Sequence, residues 1–351
     1  MARATDFMNT AFTDLALGAA RDLFATHDIP PYRAGQVWNW LYQRAATSYR
    51  GMTTLPRELQ DALAALIPLT RTQVVHTAAS KDGTEKYLLQ LADGETGETV
   101  WIPMGAHATV CVSTQVGCPI QCVFCASGAD GLRRNLSPGE MVEQVWHCVR
   151  LHGRERVNNV VFMGMGEPLL NYPNLCAAIA ILNDRYGLHI GARHVTVSTA
   201  GVIPGIRQLA GDAPQVNLAV SLHAATDALR TRLIRHCPSS IADLMLALTA
   251  YYRVTHRLIT FEYVLLDGVN DSERDANALA RLAQRVPSKV NLIPYNAVPG
   301  GAYQPTPAAQ AERFVDWLSE HGVIALLRAR KGDDISAACG QLRRRAITHD
   351  A

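Results

Sequence analysis

From residue 108 onward, strand-like apolar runs alternate with helix-patterned segments, and this constrains the fold more than any other feature of the chain. The runs read ATVCVSTQ, NNVVFMGM, HVTVSTA, VNLAVSLH, ITFEYVLL, KVNLIPYN and GVIALLRA. Helical spacing lies between them, for example at 172–186, 242–252, 271–285 and 308–320. Strand and helix taking turns at this interval predict an α/β fold with a parallel sheet, wound open or as a barrel. The strands are apolar almost throughout, which predicts cover on both faces.

The preceding residues behave differently. Up to about residue 70, three stretches (15–27, 34–44 and 55–66) place apolar residues at three- and four-residue spacing, and Pro30-Pro31 separates the first two. Trp38, Trp40 and Tyr42 read as helix core. Residues 71–103 hold the short alternating runs TQVVHTA, EKYLLQL and ETVWIP, split by the turn signals KDGT and ADGETG. These predict a small antiparallel sheet or hairpin. The expected organisation is a helical domain over 1–70, a β segment or linker over 71–104, and an α/β domain over 105–345.

Of the 351 residues, 48% are hydrophobic and 18% charged, so a large core is available and disorder is excluded. A formal net charge of +2 permits a nucleic-acid partner only through a local patch. The sequence has no run long and apolar enough for a membrane span and no secretory pattern at its start, so a cytoplasmic protein is expected. In that compartment the eight cysteines stay mostly reduced, and clustered ones bind metal or do chemistry.

Polar residues gather where the apolar runs end. Gly166 and Glu167 follow NNVVFMGM, Ser198 and Thr199 follow HVTV, Ser221 and His223 follow NLAV, and Asn296 follows NLIPY. In parallel α/β folds those ends form the site. Ser221 and His223, two apart, are expected on one strand face.

The segment GCPIQCVFC carries Cys118, Cys122 and Cys125 within eight residues. A structural zinc needs four closed ligands, commonly from paired knuckles, and no second knuckle exists. Cys148 and Cys176 lie on expected helices, and Cys237 and Cys339 are distant in sequence. A four-iron cluster held by three thiolates keeps one iron open. An open iron can take the amino and carboxylate groups of a methionine-type ligand.

The C-x₃-C-x₂-C spacing, with Phe124 before the last cysteine, resembles the radical-SAM superfamily. The resemblance implies a [4Fe–4S] cluster on Cys118, Cys122 and Cys125. It also implies reductive cleavage of S-adenosylmethionine to a deoxyadenosyl radical, with an electron donor such as flavodoxin or ferredoxin. For MGMGEP it implies that Gly166 and Glu167 contact the cofactor's amino group.

More of the chain resembles one family within it, the RlmN/Cfr group of radical-SAM RNA methyltransferases. The blocks are PYRAGQVWNWLY, GETVWIP, CVSTQVGC, FMGMGEPLLN, VTVSTAGV, AVSLHA, FEYVLLDGVND, NLIPYN and RKGDDISAACGQL. The resemblance implies a partial (β/α)₆ barrel over 105–345. It implies that Cys339 is methylated first, that its S-methyl carbon becomes a radical and adds to an adenine ring, and that Cys111 then frees the product as a disulfide forms. By themselves, Cys111 and Cys339 would read as small buried hydrophobes, the reading retained for Cys148, Cys176 and Cys237. It also implies that Glu98 is the general base, where the residue alone reads as a solvated turn carboxylate. Cofactor contacts map onto Ser198, Ser221, Leu222, His223 and Asn296.

The expected activity is methylation of an adenosine in ribosomal or transfer RNA, at carbon 2, with carbon 8 as the alternative. A radical-SAM activase acting on protein, which would need neither Cys111 nor Cys339, and a metal-stabilised RNA-binding module are the rivals from other classes. The match departs at ASGADGLRRNL, after the cysteine loop, and at Met104. Basic candidates for RNA phosphates are Arg133-Arg134, Arg328, Arg330, Lys331 and 343–345; the helical domain is close to charge-balanced.

Overall fold

The computed structural model describes residues 10–298 and 301–343. Arg344 and Arg345, weighed above as RNA contacts, lie outside the described residues.

Three helices come first: α1 (Leu17–Thr26), α2 (Tyr32–Gln43) and α3 (Arg57–Leu66). Pro31 and Pro56 mark where the second and third begin, positions at which a missing N–H breaks no intrahelical bond. Phe12, Phe24, Trp38 and Tyr42 are fully buried between them. Trp38 and Tyr42 meet edge to face at 4.8 Å.

The strands β1 (Gln73–Ala79), β2 (Glu85–Gln90) and β3 (Thr96–Met104) form an antiparallel meander. It is no sheet of its own. β3 pairs antiparallel with β4 (His107–Cys111) across a tight turn at Gly105, and β4 opens the parallel array. A two-stranded ribbon, β5 (Gln115–Gly117) and β6 (Leu132–Asn135), then frames the cysteine loop. The sequence gives no alternation there, so the ribbon was not expected.

The remaining strands are β7 (Val157–Phe162), β8 (Val195–Thr199), β9 (Asn217–Ser221), β10 (Ile259–Leu265), β11 (Ser288–Pro294) and β12 (Ala325–Leu327). Each pairs in parallel with its neighbour, in sheet order β1-β2-β3-β4-β7-β8-β9-β10-β11-β12. Among the described residues the sheet ends on β1 and β12 without closing, giving a partial barrel. Every residue of β10 is buried, as its apolar run predicts.

Seven helices cover the sheet: α4 (Pro138–His152), α5 (Tyr172–Asn183), α6 (Ile203–Asp212), α7 (Asp227–Leu233), α8 (Ile241–Thr255), α9 (Glu273–Ala283) and α10 (Ala308–Glu320). Helix α4 opens on a reciprocal cap. Ser137 Oγ accepts from Glu140 N at 3.1 Å, and Glu140 accepts from Ser137 N at 2.9 Å.

One hydrophobic core runs from the first three helices through the barrel. Glu143 of α4 adds a polar tie to it. Fully buried, it accepts from the amides of Arg71 and Thr72 and the hydroxyls of Thr13 and Thr72. Burial pushes its carboxyl up to about 7, and those four donors pull against the rise.

Candidate functional site

The cysteine loop hangs between the ribbon strands, and glycine makes its geometry possible. Gly117 has φ +81, and a Cβ there would lie 1.9 Å from the Gly131 carbonyl oxygen. Cys118 N donates to that carbonyl at 3.0 Å, closing the loop at its base. Cys118, Cys122 and Cys125 line one pocket at the C-terminal ends of the parallel strands, with Gly166, Glu167, Ser198, Ser221, His223 and Cys339. Burial pushes the Cys118 thiol up to about 12 and raises Cys122 and Cys125 as well. Three thiolates gathered here therefore call for a compensating cationic group. Among the described residues no three His, Cys, Asp or Glu side chains converge as a single metal ion requires.

Beneath the loop lies Arg230, fully buried. It donates to Cys237 Sγ at 2.7 Å and to the carbonyls of Ser239 and Ala200. Cys237, distant in sequence, packs with Cys118 and Cys122 on Ile120 and Ile234. It is half-buried rather than a core hydrophobe, as is Cys176, while Cys148 is fully buried.

Gly166 has φ +108, and a Cβ there would meet Gln115 at 2.7 Å. This close approach turns the chain so that Glu167 enters the pocket. Its carboxylate accepts from Leu169 N at 3.1 Å and Ala200 N at 2.7 Å. Burial pushes it up to about 7, so a cationic partner would be welcome there. Ser198 and Ser221 face each other, their hydroxyl oxygens 3.4 Å apart.

His223 does not share a strand face with Ser221. β9 ends at Ser221, and His223 adopts φ +58. Both nevertheless line the pocket. Val264 N donates to His223 Nδ1 at 3.1 Å, which leaves the proton on Nε2. Burial holds the ring neutral, its pKa lowered to about 3. Leu222 lies between them with its side chain wholly in the core. Asn296 sits beside the pocket: Nδ2 donates to the Cys339 carbonyl at 3.2 Å, and its buried Oδ1 has no partner among the described residues. A buried acceptor left open, next to serine hydroxyls, a carboxylate and three thiols, fits an amino-acid-bearing ligand with hydroxyl groups of its own.

The C-terminal segment crosses the cysteine loop. Ala126 N donates to the Gly340 carbonyl at 2.7 Å and Ser127 Oγ to the Leu342 carbonyl at 2.6 Å. This places exposed Cys339 at the pocket. Cys111, at the end of β4, is buried in a small apolar cluster that also holds Ala337 and Leu342. Burial pushes its thiol up to about 12; a charge on Cys339 would add to that, and Arg328 opposes it.

Glu98 is buried, only 2% exposed, so it is no solvated turn residue. It is the third residue of β3, with its Oε1 3.1 Å from Lys86 Nζ and its Oε2 accepting from Arg343 N at 2.9 Å. Glu98 and Cys111 do not line the pocket itself; they stand behind the Cys339 segment.

Sequence reasoning missed Glu262, Lys86 and Arg230. Glu262 lines the pocket, accepts from Asn291 at 3.0 Å and lies 3.8 Å from Arg328. An acid inside the apolar run ITFEYVLL was the available signal. Arg328, weighed as an RNA contact, instead turns into the pocket. Arg134 pairs with both oxygens of Glu140 and with Asp93, and Arg343 pairs with Asp130.

Two family models match the chain. One, described as the radical SAM superfamily, covers residues 112–279. The other, described as the ribosomal RNA large subunit methyltransferase N-terminal domain, covers residues 10–68. A dual-specificity RNA methyltransferase RlmN of Rhodospirillum rubrum is 45% identical over 89% of this chain and 75% of its own length. Its counterpart in Solidesulfovibrio magneticus is 44% identical over 95% of this chain and 96% of its own. The crystal structure of a radical SAM methyltransferase from Sphaerobacter thermophilus superposes with a TM-score of 0.92 at 44% identity, covering 95% of this chain and 99% of that one. No helix among the described residues is long and apolar enough to cross a membrane.

Proposed function

The chain belongs to the RlmN family of radical-SAM RNA methyltransferases, and from that premise we propose that it methylates carbon 2 of adenosine in both ribosomal and transfer RNA, in the cytoplasm, through an S-methylated Cys339. One observation carries the reading: Cys339 lines a pocket with three further cysteines, and Ala337 and Leu342, on either side of it in sequence, pack in one cluster with Cys111.

The family's cofactors are a [4Fe–4S] cluster and S-adenosylmethionine. Cys118, Cys122 and Cys125 would hold the cluster. Gly166, Glu167, Ser198, Ser221, His223 and Asn296 would hold S-adenosylmethionine, with Leu222 packed so as to fix its two neighbours. When bound, the pair supplies a hydrogen-abstracting carbon radical, and an electron donor of the flavodoxin or ferredoxin kind keeps the cluster reduced.

The protein's own groups do the rest. The Cys339 sulfur carries the carbon to be transferred and becomes joined through it to the base, a covalent step that divides a hard substitution into easier ones. Glu98 takes the proton from the modified ring carbon. One electron of the adduct passes back to the redox partner; the Cys111 thiolate then attacks the Cys339 sulfur, the carbon–sulfur bond breaks with its electron pair on carbon, that carbon takes up a proton to become the methyl group, and a disulfide forms.

Anaerobic incubation with S-adenosylmethionine, reductant and RNA, followed by nucleoside mass analysis, tests the proposal. 2-Methyladenosine in both RNA classes is expected. 8-Methyladenosine, or full turnover by a Cys339→Ala variant, would overturn it.

A further inference from the structure

The geometry points to Lys86 as a positioning residue that holds the Glu98 carboxylate and the Cys339 segment in one frame. The inference rests on the reading of Glu98 as proton acceptor.

Lys86 lies on β2, and its side chain is only 5% exposed. In the β2–β3 register Leu88 faces Glu98 and Lys86 faces Val100, so Lys86 and Glu98 are diagonal neighbours on one sheet face. The ammonium lies 3.1 Å from Glu98 Oε1 and donates to the Ser336 carbonyl at 2.9 Å. Ser336 sits three residues before Cys339 in a left-handed conformation, φ +52. One buried cation thus touches both the carboxylate and the segment that carries the reactive sulfur.

A stabilising role alone does not account for this choice of residues. A buried ion pair loses hydration on both sides, and an apolar pair of the same volume is commonly as stable. What an apolar pair cannot do is orient a carboxylate. Lys86 fixes one oxygen of Glu98 and the Arg343 amide fixes the other. Each oxygen keeps a second lone pair with which to receive a proton. The turn before β2 grips the same segment from outside. Asp82 accepts from Gly332 N at 3.1 Å, Asp334 accepts from Lys81 N at 3.3 Å, and Lys331 lies 4.0 Å from Asp82. That grip holds the segment whichever residue stands at 86. What Lys86 adds to that grip is the ion pair with Glu98, joined to the segment through the Ser336 carbonyl.

The distinction can be read from the covalent protein–RNA species. If Glu98 is misplaced, the carbon still joins the base but the proton stays, so the adduct persists. If the Cys339 segment alone is displaced, adduct and product fall together. The experiment compares Lys86→Met, Lys86→Arg and Glu98→Gln in the full chain with reconstituted cluster, on one RNA, measuring deoxyadenosine, methylated RNA and the slow-migrating adduct. Glu98→Gln is expected to raise the adduct-to-product ratio by roughly 10²-fold with deoxyadenosine formation retained. Lys86→Met should raise it at least about tenfold, the effect of a carboxylate shifted by part of an ångström. Lys86→Arg, which keeps a cation there, should return most of the product. An unchanged ratio in Lys86→Met beside a raised one in Glu98→Gln overturns the role of Lys86 alone, as does a loss that Lys86→Arg does not relieve. An unchanged ratio in Glu98→Gln overturns the reading of Glu98 itself, and the role of Lys86 with it. Should Lys86→Met not fold, Lys86→Gln, a donor without charge, replaces it under the same criteria.

Discussion

The protein holds two groups of sulfur atoms, and they are built in opposite ways. Cys118, Cys122 and Cys125 share one short loop, closed at its base by Gly117 and Gly131 and framed by a two-stranded ribbon. Cys111 and Cys339 come from the first parallel strand and from the segment after the last one. The first group is a product of local chain geometry. The second exists only once the sheet has formed and the C-terminal segment has been laid across the loop. A local group can be disturbed only nearby, whereas an assembled one depends on every contact that carries its two halves.

The largest effect separates the groups outright. Cys118→Ala should lose most of the iron and all cleavage of S-adenosylmethionine, whereas Cys339→Ala should keep both and lose only methylated RNA. Iron analysis beside deoxyadenosine measurement checks this, and parallel losses in the two variants would erase the contrast. Next, Cys111→Ala should form the protein–RNA adduct without releasing it, visible by gel shift as a species that reductant does not dissolve.

A third test concerns the contacts that carry the assembled group. Glu143→Ala leaves the buried amides of Arg71 and Thr72 without an acceptor and should cost about 3 kcal/mol, a melting temperature lower by roughly 4 °C. Calorimetry with unchanged iron content would show that the loop tolerates damage remote from it. The smallest effect is kinetic. In the unreconstituted protein at neutral pH, iodoacetamide should label exposed Cys339 before Cys111, whose thiol burial holds near 12. Peptide mapping at short times resolves the order.

The same contrast explains what could be read in advance. The cysteine loop was legible because its three cysteines, glycines and aromatic residue all lie within one short segment. The parallel sheet was legible because apolar runs and helical spacing repeat. Glu98 was not. It follows the turn signal ADGETG and looks solvated until β2 is paired with β3, when Lys86 arrives beside it and Arg343 above. His223 was placed in the pocket for a reason the structure does not support, since the strand has ended before it. Arg328 and Arg134 resembled a nucleic-acid surface because charge in a sequence carries no direction; one turns inward to Glu262 and the other is taken by Glu140. Cys237 joined the cysteine loop unannounced, carried there by α7 and the turn after it.

The segment that carries Cys339 is anchored in a particular manner. Gly340 and Leu342 accept through their carbonyls, and Arg343 donates through its amide. Those three backbone contacts are blind to side-chain identity, so they hold the sulfur moored even where the side-chain ties of the segment, such as Arg343 to Asp130, are replaced and the face toward the incoming polymer is remodelled. Within that stretch a proline at 343, which removes the Arg343 donor, would cut one mooring line directly.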